Sequence, residues 1–307
     1  YNIFTNPEIA LELLLFWIYK SGENQKEIRT KNLFEDLNKI GKFLSEQSSF
    51  NNQFGNSIIP LSIKSLKNED TNLLHKGFYY GVSAKFEHIL ANLDVVRNEK
   101  LEIINSSLKK TNIFFIHGAS GQGKSTLAYR YLHNYVDSNT AYELKLSDRL
   151  GEVFETINCL DSLSKGLKFP ITLYIDVSPE NNYWNEVLKE LSTKSNLNFL
   201  ITIRQEDWNR TSLGVDFDFD DLELTFDKKE AEIIYKSLSE YKLDLKFTDF
   251  EESWLQHGER GMLLEYVYLL NQGDKLKVRL QNQVRRLEKE NRIDELEILR
   301  FVCLCDS

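Results

Sequence analysis

The sequence predicts an α/β fold: a core with a mostly parallel sheet, flanked by an N-terminal helical segment and a C-terminal helical lid. Three observations carry this. Short apolar runs at residues 113–117, 171–175 and 199–203 alternate with stretches whose apolar residues recur at helical spacing. Strands that are apolar on both faces belong to a sheet covered on both sides, which is the habit of parallel sheets. A glycine-rich loop follows the first run and opens into an amphipathic stretch, and the last third of the chain keeps the 3.6-residue period through four successive segments.

Composition sets the outer bounds. At about 150 residues per domain, 307 residues make roughly two domains. With 14 Gly and 4 Pro the chain is no disordered or collagen-like polymer. A net charge of −9 excludes a whole-chain basic surface for nucleic acid. Cys159, Cys303 and Cys305 make no metal-ligand spacing, and their scarcity suits a reducing, cytoplasmic setting. No segment reaches the about 20 apolar residues that cross a bilayer. The nearest, 9–19, is interrupted only by Glu12 and preceded by Asn6 and Pro7, and it reads as a buried helix. The only methionine is Met262, and the apolar pattern runs on into the last residues, so the chain reads as an excerpt of a longer protein.

Taken in order, residues 1–93 read as helices broken by a polar loop at 45–57. Residues 94–225 form the core: a short helix at 101–108, then strands at 113–117, 171–175 and 199–203, with helices at 123–136 and 183–191 between them. The acidic stretch 216–223 reads as a link from core to lid. Residues 226–307 are the lid, with helices at 228–239, 250–257, 262–270 and 276–289, the first capped by Asp227.

The sharpest motif is the run Gly118, Ala119, Ser120, Gly121, Gln122, Gly123, Lys124, Ser125, Thr126, which fits G-x-x-x-x-G-K-[ST] in full. Glycines let the backbone turn and approach a ligand closely. The loop N–H groups then converge on phosphates as an anion nest, and the helix that follows adds the positive end of its dipole. Lys124 is placed for the β- and γ-phosphates and the Ser125 hydroxyl for Mg²⁺, so the core reads as a P-loop NTPase. Asp176, 52 residues after Lys124 at the end of the second strand, is the candidate second metal ligand; the plain alternative is a turn cap. Arg204 ends the third strand and could report on the γ-phosphate, or pair with Glu206 or Asp207. Val177 follows Asp176, where fast ATPases of this class carry a glutamate base. Glu180, Glu206 and Asp207 are then the nearest groups to orient water, and slow hydrolysis is expected.

His117 adjoins the loop and reads as a residue that packs or bonds a backbone carbonyl, a functional role being the lesser alternative. Seven basic residues over 275–292 read as a solvated helix face rather than a partner or nucleic-acid patch.

The loop, the Leu173-Tyr-Ile-Asp176 strand and the Ile201-Thr-Ile-Arg204 strand together resemble the STAND class of signalling NTPases, which includes NACHT and plant resistance proteins. Further segments resemble its bacterial anti-phage, AVAST-like branch: Phe78-Tyr-Tyr-Gly81, Phe86-Glu-His-Ile89, Asp94-Val-Val-Arg97, Glu206-Asp-Trp208 and residues 261–270. Arg97 and Glu99 fall where that class places an adenine-side Gly-Arg-Glu motif, with Val96 at the Gly, and Met262 stands where relatives carry a base-packing Pro.

The resemblance implies a slow ATPase switch using ATP or ADP with Mg²⁺, with Lys124, Asp176 and Arg204 as catalytic groups. It implies a homo-oligomer on activation, a tetramer being the number it suggests. It also implies a phage-protein trigger read by a region beyond this chain, an upstream effector whose tail is 1–75, no membrane, and nucleic acid only through that effector. An AAA+-like motor, a small-molecule kinase and a non-hydrolysing ATP-binding scaffold are the alternatives. Fast turnover would mark the first, phosphate transfer to a metabolite the second, and intact ATP after long incubation the third.

Overall fold

The computed structural model describes residues 57–61, 74, 77–79, 81–137, 140–147, 149–167, 170–179, 181, 183–210, 218–240, 245–258 and 261–305. The expected helix at 9–19, most of the polar loop before residue 57, and Glu180 lie outside them. In chain order the elements are β1 (Ile58–Pro60), α1 (Phe86–Leu90), α2 (Asn98–Ser107), β2 (Ile113–Gly118), α3 (Lys124–Tyr135) and β3 (Ala141–Leu144). There follow α4 (Leu150–Leu167), β4 (Ile171–Asp176), α5 (Trp184–Leu191), β5 (Leu197–Arg204), α6 (Gln205–Arg210) and β6 (Asp220–Glu223). The last described helices are α7 (Lys228–Glu240), α8 (Phe250–His257), α9 (Leu263–Gln272), α10 (Leu276–Lys289) and α11 (Ile293–Cys305).

The sheet runs β1-β3-β4-β5-β2-β6. All neighbours are parallel except β1, which lies antiparallel on β3. Alternate residues of each central strand serve opposite faces, as the period of two requires. Ile113, Phe115, Leu173, Ile175, Phe199 and Ile201 pack under α4 and α5. Phe114, Ile116, Tyr174 and Leu200 pack under α1, α2 and α3. This double cover explains why the three central strands were visible as unbroken apolar runs.

The edges differ from expectation. β1 draws residues before 94 into the sheet, and Pro60 is tolerated because an edge strand needs hydrogen bonds on one side only. The acidic stretch expected as a link contributes a strand: Asp220–Glu223 lies parallel to β2, with Phe114 opposite Asp220 and His117 opposite Glu223. An edge strand can carry carboxylates because one side of it faces water. Asp227 caps α7 as expected, accepting from the Glu230 amide at 2.8 Å. Helices α7, α8 and α9 close a third core around Tyr266, Phe226 and Leu269. Among the described residues no helix is long and apolar enough to cross a membrane.

Candidate nucleotide site

The parallel strands all end on one edge of the sheet, where open α/β sheets bind ligands. β2 runs directly into the glycine loop. Gly118 has φ +151°, and a Cβ there would stand 2.7 Å from the Leu224 carbonyl oxygen, so the strand can turn only without a side chain. Gly123 is left-handed (φ +73°), and a Cβ there would collide with the Arg97 guanidinium. From Gly123 the chain enters α3, so the loop amides and the positive end of a twelve-residue helix face the same point.

Lys124 Nζ donates to the carbonyls of Gly118 and Ala119, each at 2.9 Å. Burial lowers its ammonium below the usual lysine range; Asp176 opposes this, while Arg204 adds to it. The ammonium therefore sits among groups that feel one another across the strand ends. β5 separates β2 from β4, and its register places Arg204 opposite Gly118 and Thr202 opposite Asp176.

Ser125 Oγ donates to Asp176 Oδ2 at 3.4 Å, and Thr202 Oγ1 donates to Asp176 Oδ1 at 2.6 Å. A hydroxyl and a carboxylate at this spacing fit Mg²⁺, which keeps several waters and takes few protein ligands beside phosphate oxygens. Among the described residues no group of three or more His, Cys, Asp or Glu could hold a metal, so a full protein cage is not the arrangement. Ser120, Gly121, Gln122 and Thr126 line the loop and the first turn of α3; Ser120 is exposed and the other three are half-buried.

Arg97 does not stand free. Its Nη1 donates to the Gln122 carbonyl at 3.2 Å and its Nη2 to the Gly123 carbonyl at 3.4 Å. It also faces Glu230 of α7 at 3.3 Å, while Lys100 reaches the other Glu230 oxygen at 2.8 Å. Burial lowers the guanidinium, with Glu230 and Asp94 opposing. Arg97 is thus a strut from the loop to α7. Helix α9 bonds the loop directly: the Leu264 amide, in its first turn, donates to the Gly121 carbonyl at 3.0 Å.

His117 is buried, but side chains hold it rather than the expected packing or backbone carbonyl alone. Its ring stacks on Trp208 at 4.6 Å and meets Gln205 Oε1 (2.8 Å) and Asp221 Oδ2 (2.9 Å). Glu206 and Asp207 lie on α6, the former exposed.

Sequence reasoning passed over Glu143. It sits in β3 opposite Tyr174, accepts from the Tyr129 hydroxyl at 2.8 Å, and is half-buried. Burial raises its carboxyl; the Tyr129 bond opposes this and the Asp176 charge adds to it. The short stretch Ala-Tyr-Glu-Leu carries no motif that could have flagged it.

No family model matches the chain, and no curated protein sequence matches it. Among solved structures it is similar to a Walker-type ATPase of Pyrococcus abyssi, at 16% identity over 72% of this chain and 79% of that one, with a TM-score of 0.45. It is also similar to a STAND protein with a tetratricopeptide-repeat sensor from Pyrococcus horikoshii, at 21% identity over 52% of this chain and 26% of that one, with a TM-score of 0.34. A katanin self-assembly structure shares 11% identity over 72% of this chain and 74% of its own, with a TM-score of 0.38.

Proposed function

We propose that the chain is an ATP-dependent switch of the STAND type. It binds ATP with Mg²⁺, cleaves it slowly to ADP, and uses the difference between the two nucleotides to set its lid. The observation that carries this reading is the convergence of Lys124, Ser125, Asp176 and Arg204 on one sheet edge, with the lid hydrogen-bonded to the same loop through Leu264 and tied to it through Glu230 and Arg97.

Each residue has a task. Loop amides and Lys124 bind the phosphates, the lysine exchanging its two carbonyl partners for phosphate oxygens. Ser125 and Asp176 hold Mg²⁺, which when bound neutralises charge on the β- and γ-phosphates. Arg204 contacts the γ-phosphate and so distinguishes ATP from ADP. A ligand shifts a conformational equilibrium only by its differential affinity for the two states, and that terminal phosphate supplies the difference. Val177 in place of an acid beside Asp176 keeps turnover slow.

In this reading 226–307 is the lid and 94–225 the nucleotide core, joined by β1 and α1 from upstream. The segment 1–93 leads from an effector. Assembly into a homo-oligomer, a tetramer in the first instance, would follow detection of a phage protein by a region beyond this chain.

Lys124→Ala tests the reading. A charged-group hydrogen bond is worth about 1.5–3 kcal/mol, so losing two or more to phosphate should weaken ATP binding at least about 100-fold. Calorimetric titration with ATP-Mg²⁺ measures it, and unchanged affinity sinks the nucleotide reading. Sizing the longer protein with ATP, with ADP and with neither tests the switch; identical elution in all three counts against it.

A further inference from the structure

We propose that Glu143 is the general base of this site, taking the proton of the attacking water from the strand beside Asp176. The proposal rests on the ATP-hydrolysing reading above and supplies the residue that reading lacks.

The argument begins with register. In a parallel sheet, residues paired across strands project to the same face. Glu143 pairs with Tyr174, and Asp176 lies two residues beyond Tyr174, so both carboxylates share one face. That face is covered by α3, whose first turn holds Ser125 and whose second holds Tyr129.

A chain of hydrogen bonds and one ring contact links the two acids. The Tyr129 hydroxyl donates to Glu143 Oε2 at 2.8 Å, and the Tyr129 ring meets the Tyr174 ring edge-on at 4.8 Å. The Tyr174 hydroxyl bonds Thr202 Oγ1 at 3.1 Å, and Thr202 donates to Asp176 Oδ1 at 2.6 Å. Glu206, whose charge Lys124 feels, and Asp207 lie on α6 at the end of β5, on the far side of Asp176 from Glu143; Glu206 is exposed, and Val177 occupies the position after Asp176.

Two carboxylates in different surroundings suit two tasks. Asp176 is exposed at the strand end, fit for a metal and its waters. Glu143 is half-buried, and burial raises its carboxyl, as do Asp176 on β4 and Glu87 on α1; the Tyr129 bond on α3 and Lys145 on its own strand's exit oppose the rise. A carboxylate shifted toward neutral pH is a better proton acceptor. Its bond from Tyr129 must be shared or released during the step, which agrees with slow turnover.

The step balances. The water oxygen forms a bond to the γ-phosphorus as the bond from that phosphorus to the bridging β–γ oxygen breaks. The broken bond's electron pair leaves with ADP. The water proton passes to Glu143 and then to solvent, and inorganic phosphate departs.

Glu143→Gln keeps an oxygen to accept from Tyr129 and removes the base. The expected result is ATP-Mg²⁺ affinity within about twofold of wild type, an unchanged melting temperature near pH 5, and single-turnover hydrolysis slower by about 100-fold, the low end of general-base effects. There is a second readout without nucleotide. Because the raised carboxyl binds its proton more tightly in the folded chain, wild-type stability should fall as pH rises from the ordinary glutamate range through the raised value. The variant should lack that decline.

Hydrolysis by the variant within threefold of wild type overturns the proposal. So does loss of nucleotide affinity or of the melting transition in the variant, which would make Glu143 a packing residue. A wild-type chain that binds ATP yet leaves it intact overturns it too, while leaving nucleotide binding standing. A wild-type chain that binds no ATP sinks the function above first.

Discussion

The helices that follow the sheet divide into two groups that treat the rest of the molecule differently. Helices α7 to α9 share a core with Tyr79 and Phe226, and they reach the phosphate loop twice, through Leu264 and through Glu230. Helices α10 and α11 pack on each other, and α10 packs on α9, but they leave Leu280 51% and Ile298 60% exposed. The first group is tied to the glycine loop; the second is not. A change at the loop therefore reaches α9 through a direct bond and α7 through Arg97, and α10 and α11 only through α9.

Substitutions can break this contrast. The largest effect after Lys124→Ala is expected at Glu230→Ala. It leaves the mostly buried Arg97 and Lys100 without their shared carboxylate, a change that costs about 3 kcal/mol in buried pairs. Denaturant unfolding would measure it, and a change below about 0.5 kcal/mol, the scatter of surface substitutions, would show that the strut does not join lid to core. A middle-sized effect is expected at Asp249→Ala. Asp249 caps α8 by accepting from the Glu252 amide at 3.1 Å, and such caps are worth about 1 kcal/mol. The smallest is Leu280→Ser on α10, expected within about 0.5 kcal/mol because the side chain is already in water. A cost of several kcal/mol there would mean that α10 is packed in solution, and would erase the distinction.

How much of this was legible follows from where each signal lies. The phosphate loop, β2, β4 and β5 were readable because their information is local: adjacent glycines, or runs apolar on both faces. Helices α7 to α10 were readable from periodicity alone; α11 (Ile293–Cys305) was not among the expected helices. The edge strands were not. β1 and β3 are three and four residues long, too short to show a period, and β6 is acidic because it faces water on one side. α4 carries apolar residues at helical spacing, but its neighbours had not been placed to say what it covers.

At the candidate site, Lys124, Ser125, Asp176 and Arg204 stand out in the sequence by motif or by strand end; the side chains they meet do not. Glu230 lies 130 residues from Lys100, and Asp176 lies 33 beyond Glu143, separations that only the folded sheet closes. Arg97 illustrates the limit. The resemblance places it on the adenine side, and the fold adds what no motif announces: its guanidinium donates to the carbonyls of Gln122 and Gly123.

The path out of the sheet has one further consequence. The Leu224 amide donates to the His117 carbonyl at 2.7 Å, and the Leu224 carbonyl crowds Gly118, so the chain leaves for the lid from directly behind the loop. Four residues later it starts α7, whose thirteen residues at about 1.5 Å each make a rod roughly 20 Å long. Leu224 is in effect a fulcrum and α7 a lever arm. A rotation too small to notice at the glycines would sweep the far tip at Glu240 through a distance in proportion to that length.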